Sequence, residues 1–209
     1  MQTMSNNSSS SYHHGNLREE LLNQAEKHLL DGSVNELSLR ALAREVGVSQ
    51  TAPYRHFKDK NALLAALATE GFNRLLVTLN PDGLSADPVA DLMTLGTAYV
   101  HFAQENPEIF RLMFGPVLLP RKQYTELFAA GREAFYRVQH IIERGAEKGI
   151  FGKDDIPSMA HTAWAGVHGV ATLILDHGDS FGYYHDLESQ SEKSLKIMVE
   201  GLKAHPPAQ

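Results

Sequence analysis

Apolar residues recur at helical spacing along nearly the whole chain. Leu17, Leu21, Leu22, Ala25 and Leu29 form one stripe, the signature of an amphipathic helix. Asn16 is placed to cap it, Glu19 stands three residues on as a capping-box partner, and Gly32 ends it. Ser38 opens a second helix carrying Leu39, Leu42, Ala43 and Val46, which Gly47 stops. Ser49 opens a short third helix reaching Phe57, and Asp59 opens a long fourth one with Leu63, Leu64, Leu67, Phe72, Leu75 and Leu76. Two prolines and a glycine make residues 80–88 a connector. Beyond it the spacing predicts helices at 88–105, 107–115, 121–149, 155–177 and 186–204. Prolines and glycines punctuate them: Pro107, Gly115-Pro116 with Pro120, Gly149 and Gly152 with Pro157, and the loop 177–184. No alternating strand pattern of useful length and no repeat interrupts the series. The expected fold is all-α, an N-terminal three-helix domain followed by a C-terminal helical bundle. The expected divisions are a disordered Ser/Asn-rich tail at 1–11, a domain at 12–58, a connecting helix at 59–79 and a second domain at 80–209.

Composition narrows the chemistry. The 209 residues include no cysteine, which removes disulfides, thiolate metal sites and cysteine nucleophiles and fits a reducing cytoplasm. No apolar run approaches the ~18 to 20 residues of a membrane span, and no secretory signal is visible at the N-terminus, so a cytoplasmic protein without membrane contact is expected. A net charge of −6 is unusual for a nucleic-acid binder. The excess acid lies outside residues 12–75, where eight Lys/Arg balance eight Asp/Glu; elsewhere 11 basic residues face 17 acidic ones. A neutral segment still binds phosphate when its basic groups share a face.

Residues 37–64 carry the chemistry. Two short helices meet at Gly47-Val48-Ser49, where glycine accepts the positive φ of a sharp turn. Leu39, Leu42, Ala43, Val46, Val48 and Phe57 supply a small core that sets the angle between them. The second helix of the pair displays Gln50, Thr51, Tyr54, Arg55 and His56, all hydrogen-bond donors. Gln50 and Thr51, in its first turn, are placed to meet base edges; Tyr54, His56 and Lys60 suit phosphate. The amides behind Ser49 and Asp59 lie near helix N-termini, which favour anions. Helix pairs with a glycine turn also occur in proteins that never touch DNA, so spacing alone leaves DNA binding and plain packing both open.

The stretch LSLRALAREVGVSQTAPYRHFKDKNALLAAL, preceded by YHHGNLREELLNQAEKHL, resembles the N-terminal domain of the TetR family of bacterial transcriptional regulators. GVS, then YRHF, then K-x-x-L-L occur in that family's order and spacing. AYVHFAQENPEIFRLMFG (98–115) and WAGVHG (164–169) are similar to the C-terminal domain of a subgroup with a W-x-x-x-H-G element. The resemblance implies an all-α homodimer. One domain would bind palindromic double-stranded operator DNA by a helix-turn-helix, and the other a small-molecule effector. It places a recognition helix at 49–56, with Gln50, Thr51 and Tyr54 at bases or groove, and Tyr54, His56 and Lys60 at phosphates. Arg40 is similar to a family phosphate or base contact, and residues 12–18 would reach the backbone or minor groove. Repression is the commoner mode; activation stays open. No cofactor is implied.

In the second half, Met159, Ala163, Gly166, Val167, Val170 and Ile174, with Leu187, Leu195, Ile197, Met198 and Leu202, are placed to form a four-helix interface about a two-fold axis. Tyr99, Phe102, Phe110, Met113, Phe114, Phe135 and Trp164, with His168, are candidates for an effector pocket, since aromatic and Met side chains adapt to apolar ligands. Each taken singly also reads as ordinary core. His161, Trp164 and His168 share a helical face, and with His101 they raise an alternative, a metal-dependent helical-bundle enzyme. Against it, the chain has no H-E-x-x-H, G-x-S-x-G, P-loop or dinucleotide fingerprint. No catalytic residue and no metal is assigned.

Overall fold

The computed structural model describes residues 17–32, 34–79, 83–177 and 187–204. Among these are eight α-helices and no β-strand: α1 (Leu17–Leu30), α2 (Leu39–Val46), α3 (Lys60–Thr78), α4 (Pro88–Glu105), α5 (Pro107–Phe114), α6 (Thr125–Glu147), α7 (Ile156–His177) and α8 (Leu187–Gly201). The chain divides into two compact units between Leu63 and Leu64, a boundary that falls within α3. The expected tail at 1–11, the Asn16 cap and most of the last loop lie outside the described residues.

In the N-terminal unit the apolar stripe of α1 is buried at Leu21, Leu22, Ala25 and Leu29, and α1 packs on α2. Ser38 caps α2 by accepting from the Ala41 amide at 3.1 Å. Gly47 ends it with φ +80°, returning its N–H to the last carbonyls of the helix. A polar clasp adds to the apolar contact. His28 Nε2 lies 2.8 Å from a Glu45 carboxylate oxygen, and Gln24 donates to that same oxygen at 3.0 Å. Burial would raise the Glu45 carboxyl, but these bonds hold it below its ordinary value.

The C-terminal unit is built around α4, which packs against α5, α6, α7 and α8. Asp87 caps α4 with bonds from the Val89 and Ala90 amides, and Pro88 occupies its first turn. In this unit two boundaries differ from the sequence reading by three residues or more. Residues 121–123 form a 3-10 turn, and α6 begins only at Thr125. Pro120 fixes the entry to that turn, and Tyr124 N–H closes on the Arg121 carbonyl rather than continuing an α-helix. The last helix ends at Gly201 instead of 204, because the chain pairs as an isolated bridge between Lys203 and Phe151. The expected dimer face also loses members. Ala163, Val167, Leu195 and Leu202 are buried within the unit, filling its core. Of that face Ile197 stays exposed, at 76%, and Leu173, which the sequence reading did not include, is exposed at 48%.

Candidate DNA-binding and effector sites

The segment after the Gly47 turn departs from the expected α-helix over 49–56. It folds as turns at Gln50 and Thr51 and a 3-10 helix over Ala52–Arg55 only. Pro53 is the reason. It lacks an N–H, sits in the first turn and is buried, and successive i+3 bonds run from the Ala52 amide to Ser49, Tyr54 to Thr51 and His56 to Pro53. Thr51, not Ser49, is the N-cap, and it makes no side-chain cap bond. The Ser49 hydroxyl instead lies 3.3 Å from that of Thr51. So Gln50 and Thr51 precede the helix rather than forming its first turn.

The exposed surface survives that change. Arg40, Ser49, Gln50, Thr51, Tyr54, Arg55 and His56 are all exposed, while Pro53 and Phe57 beneath them are buried. Phe57 is anchored from α1, where the Arg18 guanidinium sits 5.7 Å over its ring. Lys60 is more committed than its sequence position suggests. Its ammonium donates to the Val34 carbonyl at 2.6 Å and to the Asn35 carbonyl at 3.1 Å, tying the α1–α2 loop to the start of α3. Asp59 caps α3, its carboxylate accepting from the Ala62 amide at 2.8 Å.

In the C-terminal unit most of the aromatic candidates converge. Tyr99 is fully buried, and its ring meets Phe110, Phe114, Trp164 and His168 at centroid distances of 5.6, 6.4, 5.4 and 6.3 Å. Phe135 reaches the group through Trp164 at 6.2 Å. The Tyr99 hydroxyl and His168 Nδ1 are 2.9 Å apart. Burial pushes the Tyr99 phenol well up, and burial, aided by the nearby Arg121 charge, holds His168 below its ordinary value. Both groups are therefore neutral near pH 7. Tyr99 and Phe110 form the floor, while Phe114, Phe135, Trp164 and His168 remain half-exposed above them. Two candidates stand apart. Phe102 is buried on α4 outside the ring cluster. Met113 is buried with its sulfur against Gly71 of α3, where an added Cβ would sit 2.7 Å from it.

The three histidines of the metal alternative do not converge. His161 Nδ1 donates to the Pro157 carbonyl at 2.8 Å and its ring lies against Phe135. His168 serves Tyr99, and exposed His101 borders a cavity of about 510 Å³ between α4 and α8. Among the described residues no three His, Cys, Asp or Glu side chains form a group able to hold a metal. The sequence reading missed Arg121, whose guanidinium lies 5.8 Å over the Phe114 ring. Its one signal was a basic pair directly after Pro120, and the expected helix start at 121 hid it.

Comparison with known proteins bears on both halves of the chain. The family "Bacterial regulatory proteins, tetR family" matches residues 21–67, and "Tetracyclin repressor-like, C-terminal domain" matches residues 92–202. The HTH-type transcriptional regulator Rv1816 of Mycobacterium tuberculosis is 32% identical over 94 residues, 43% of this chain and 39% of that protein. The nucleoid occlusion factor SlmA of Photorhabdus laumondii is 32% identical over 111 residues, 50% of this chain and 53% of that protein. The matches thus span only about two-fifths to half of these curated relatives. A solved structure of a protein of unknown function from Rhodococcus sp. RHA1 is 33% identical, with TM-score 0.78, covering 93% of this chain and all of that one. The structure of PfmR from Thermus thermophilus, a TetR family regulator, shares the fold at TM-score 0.64 and 22% identity, covering 88% of this chain and 99% of that one.

Proposed function

The chain belongs to the TetR family of bacterial transcriptional regulators, with a DNA-binding helix-turn-helix, and from that premise we propose that it is a dimeric repressor released from a palindromic operator by a small molecule. The observation that carries this reading is a half-exposed aromatic cluster over the Tyr99–His168 bond, in a chain whose other unit presents an exposed polar face from Gln50 to His56. Gln50 and Thr51 read bases; Arg40, Tyr54, His56 and Lys60 hold the backbone, and Ser49 positions Thr51. Tyr99, Phe110, Phe114, Phe135, Trp164 and His168 receive the effector, with Phe102 and Met113 supporting them from the core. Two recognition segments must stand ~34 to 36 Å apart to enter successive major grooves. An effector shifts that spacing only by binding one arrangement more tightly than the other. We take α3, which runs through the boundary of the two units, as the element that carries the change.

The test is selection of genomic fragments by the purified protein, followed by anisotropy titration of the enriched sequence. An inverted repeat bound with nanomolar affinity and lost in Gln50→Ala is expected. Enrichment of no sequence over random DNA would sink the reading.

A further inference from the structure

Arg121 differs from Arg111, Arg137 and Arg144 of the C-terminal unit in what surrounds it. Arg144 has Asp91 at 2.8 Å, Arg111 has Glu108 at 2.5 Å and Arg137 has Glu133 at 3.9 Å. Arg121 is half-buried, yet among the described residues its guanidinium has neither a carboxylate partner nor a hydrogen bond. Desolvation holds that guanidinium below the ordinary value. Its close neighbour is the face of Phe114, 5.8 Å from the guanidinium carbon. A ring face offsets part of the cost of taking a cation out of water, but an acid offsets far more. Among the described residues, acids serve other arginines and none serves this one.

The hydrogen bonding beside it points the same way. The Tyr99 hydroxyl is buried and neutral, and a buried O–H requires an acceptor. His168 Nδ1, at 2.9 Å, is that acceptor. A neutral imidazole that accepts at Nδ1 carries its proton on Nε2, which is then a donor. The site therefore offers a guanidinium and an imidazole N–H, has an aromatic floor, and holds no acid among the described residues that touch it.

Building on the effector reading above, we propose that the effector is an amphipathic anion, a carboxylate or sulfonate on an aromatic or alicyclic body. Its head pairs with Arg121, and its body lies over Phe114, Trp164 and Phe135. A guanidinium fork binds such a head through two parallel charge-assisted bonds.

Trp164 is the sole tryptophan of the chain and lies within the cluster, 5.4 Å from Tyr99 and 6.1 Å from Phe114. Its emission therefore reports the site. The probes are 8-anilinonaphthalene-1-sulfonate and N-phenyl-1-naphthylamine, which share one aromatic skeleton with and without the sulfonate. Each is titrated into the full chain, with Trp164 quenching by energy transfer as the readout. The sulfonate should bind about tenfold more tightly, the worth of one charge-assisted contact. Arg121→Gln should close the gap and Arg121→Lys should keep most of it. Melting of Arg121→Gln should be no lower than wild type. If that variant does not fold, benzoate but not benzamide should displace the dyes from the wild-type protein. Equal affinity of both dyes, each quenching Trp164, overturns the anionic class and leaves an apolar effector site standing. Quenching by neither dye overturns the effector site itself, and the proposal with it.

Discussion

At Asp91, burial and bonding pull the carboxyl in opposite directions. Burial would raise it, but the Ser85 amide at 2.9 Å and Arg144 at 2.8 Å hold it below its ordinary value. With side chains only 8% and 20% exposed, this pair is shielded from solvent screening. Because the folded value is depressed, the stabilisation is complete above the ordinary carboxylate range and is lost as pH falls from there through the depressed folded value. Asp91→Asn should therefore cost about 2 to 3 kcal/mol at pH 7. Its deficit in urea melts should shrink below about pH 4; a deficit independent of pH would contradict the ion-pair account. Lys60 carries two duties at once. Lys60→Ala removes two charge-assisted bonds to backbone carbonyls, so a loss of about 1 to 2 kcal/mol in stability is expected. Affinity for all DNA should fall as well, with a salt slope shallower by about one. An unchanged slope in filter-binding assays would confine Lys60 to the loop.

The elements depend on a few close approaches. Gly145 lies in the last turns of α6, where a Cβ would sit 2.1 Å from the fully buried Phe151 ring. That ring closes the end of the bundle, beside the Phe151–Lys203 bridge. Gly145→Ala must push the ring out of a packed site, at a cost of about 1 to 3 kcal/mol or more, visible as a lower melting temperature with the helical signal retained. Gly152→Ala, where the added carbon meets only Met159 at 3.6 Å, is the control that should change little. Nearer the DNA-binding surface, Gly47 at φ +80° turns the chain at the end of α2. The helix signals were legible because caps and stops act over three or four residues: Ser38 and Asp59 each cap the helix that follows. The 3-10 segment was not legible in the same way. Apolar spacing is nearly the same for one 3-10 turn as for one α turn, and the choice was made by burial of Pro53 and by the hydrogen bonds around it.

For the molecule as a whole, assembly is the proposed condition of function. Leu173 on α7 and Ile197 on α8 are large, apolar and exposed, and paired helices of this kind bury such residues across a two-fold axis. Leu173→Glu with Ile197→Glu should give a monomer in sedimentation and abolish cooperative operator binding, while the monomeric fold stays intact by circular dichroism. A double variant that remains a dimer would place the interface elsewhere. No helix among the described residues is long and apolar enough to cross a membrane.

The sequence by itself determined the all-α class, the order of the helices and the family, because periodicity, caps and motif spacing are local and survive without three-dimensional knowledge. It also named most of the ring cluster, since large aromatic residues on helical stripes must meet in a core. Tertiary structure decided which partners each side chain took. Ala163, Val167, Leu195 and Leu202 went to the interior instead of an interface. Lys60 was bound by carbonyls at 34 and 35, and His101, His161 and His168 took three separate neighbours. Arg121, on a turn where the periodicity predicts helix, was left beside Phe114 and His168 with no acid among the described residues. The Lys60 and Tyr99–His168 pairings join residues tens of positions apart, and the rest depend on what burial withholds from water, which no local pattern encodes.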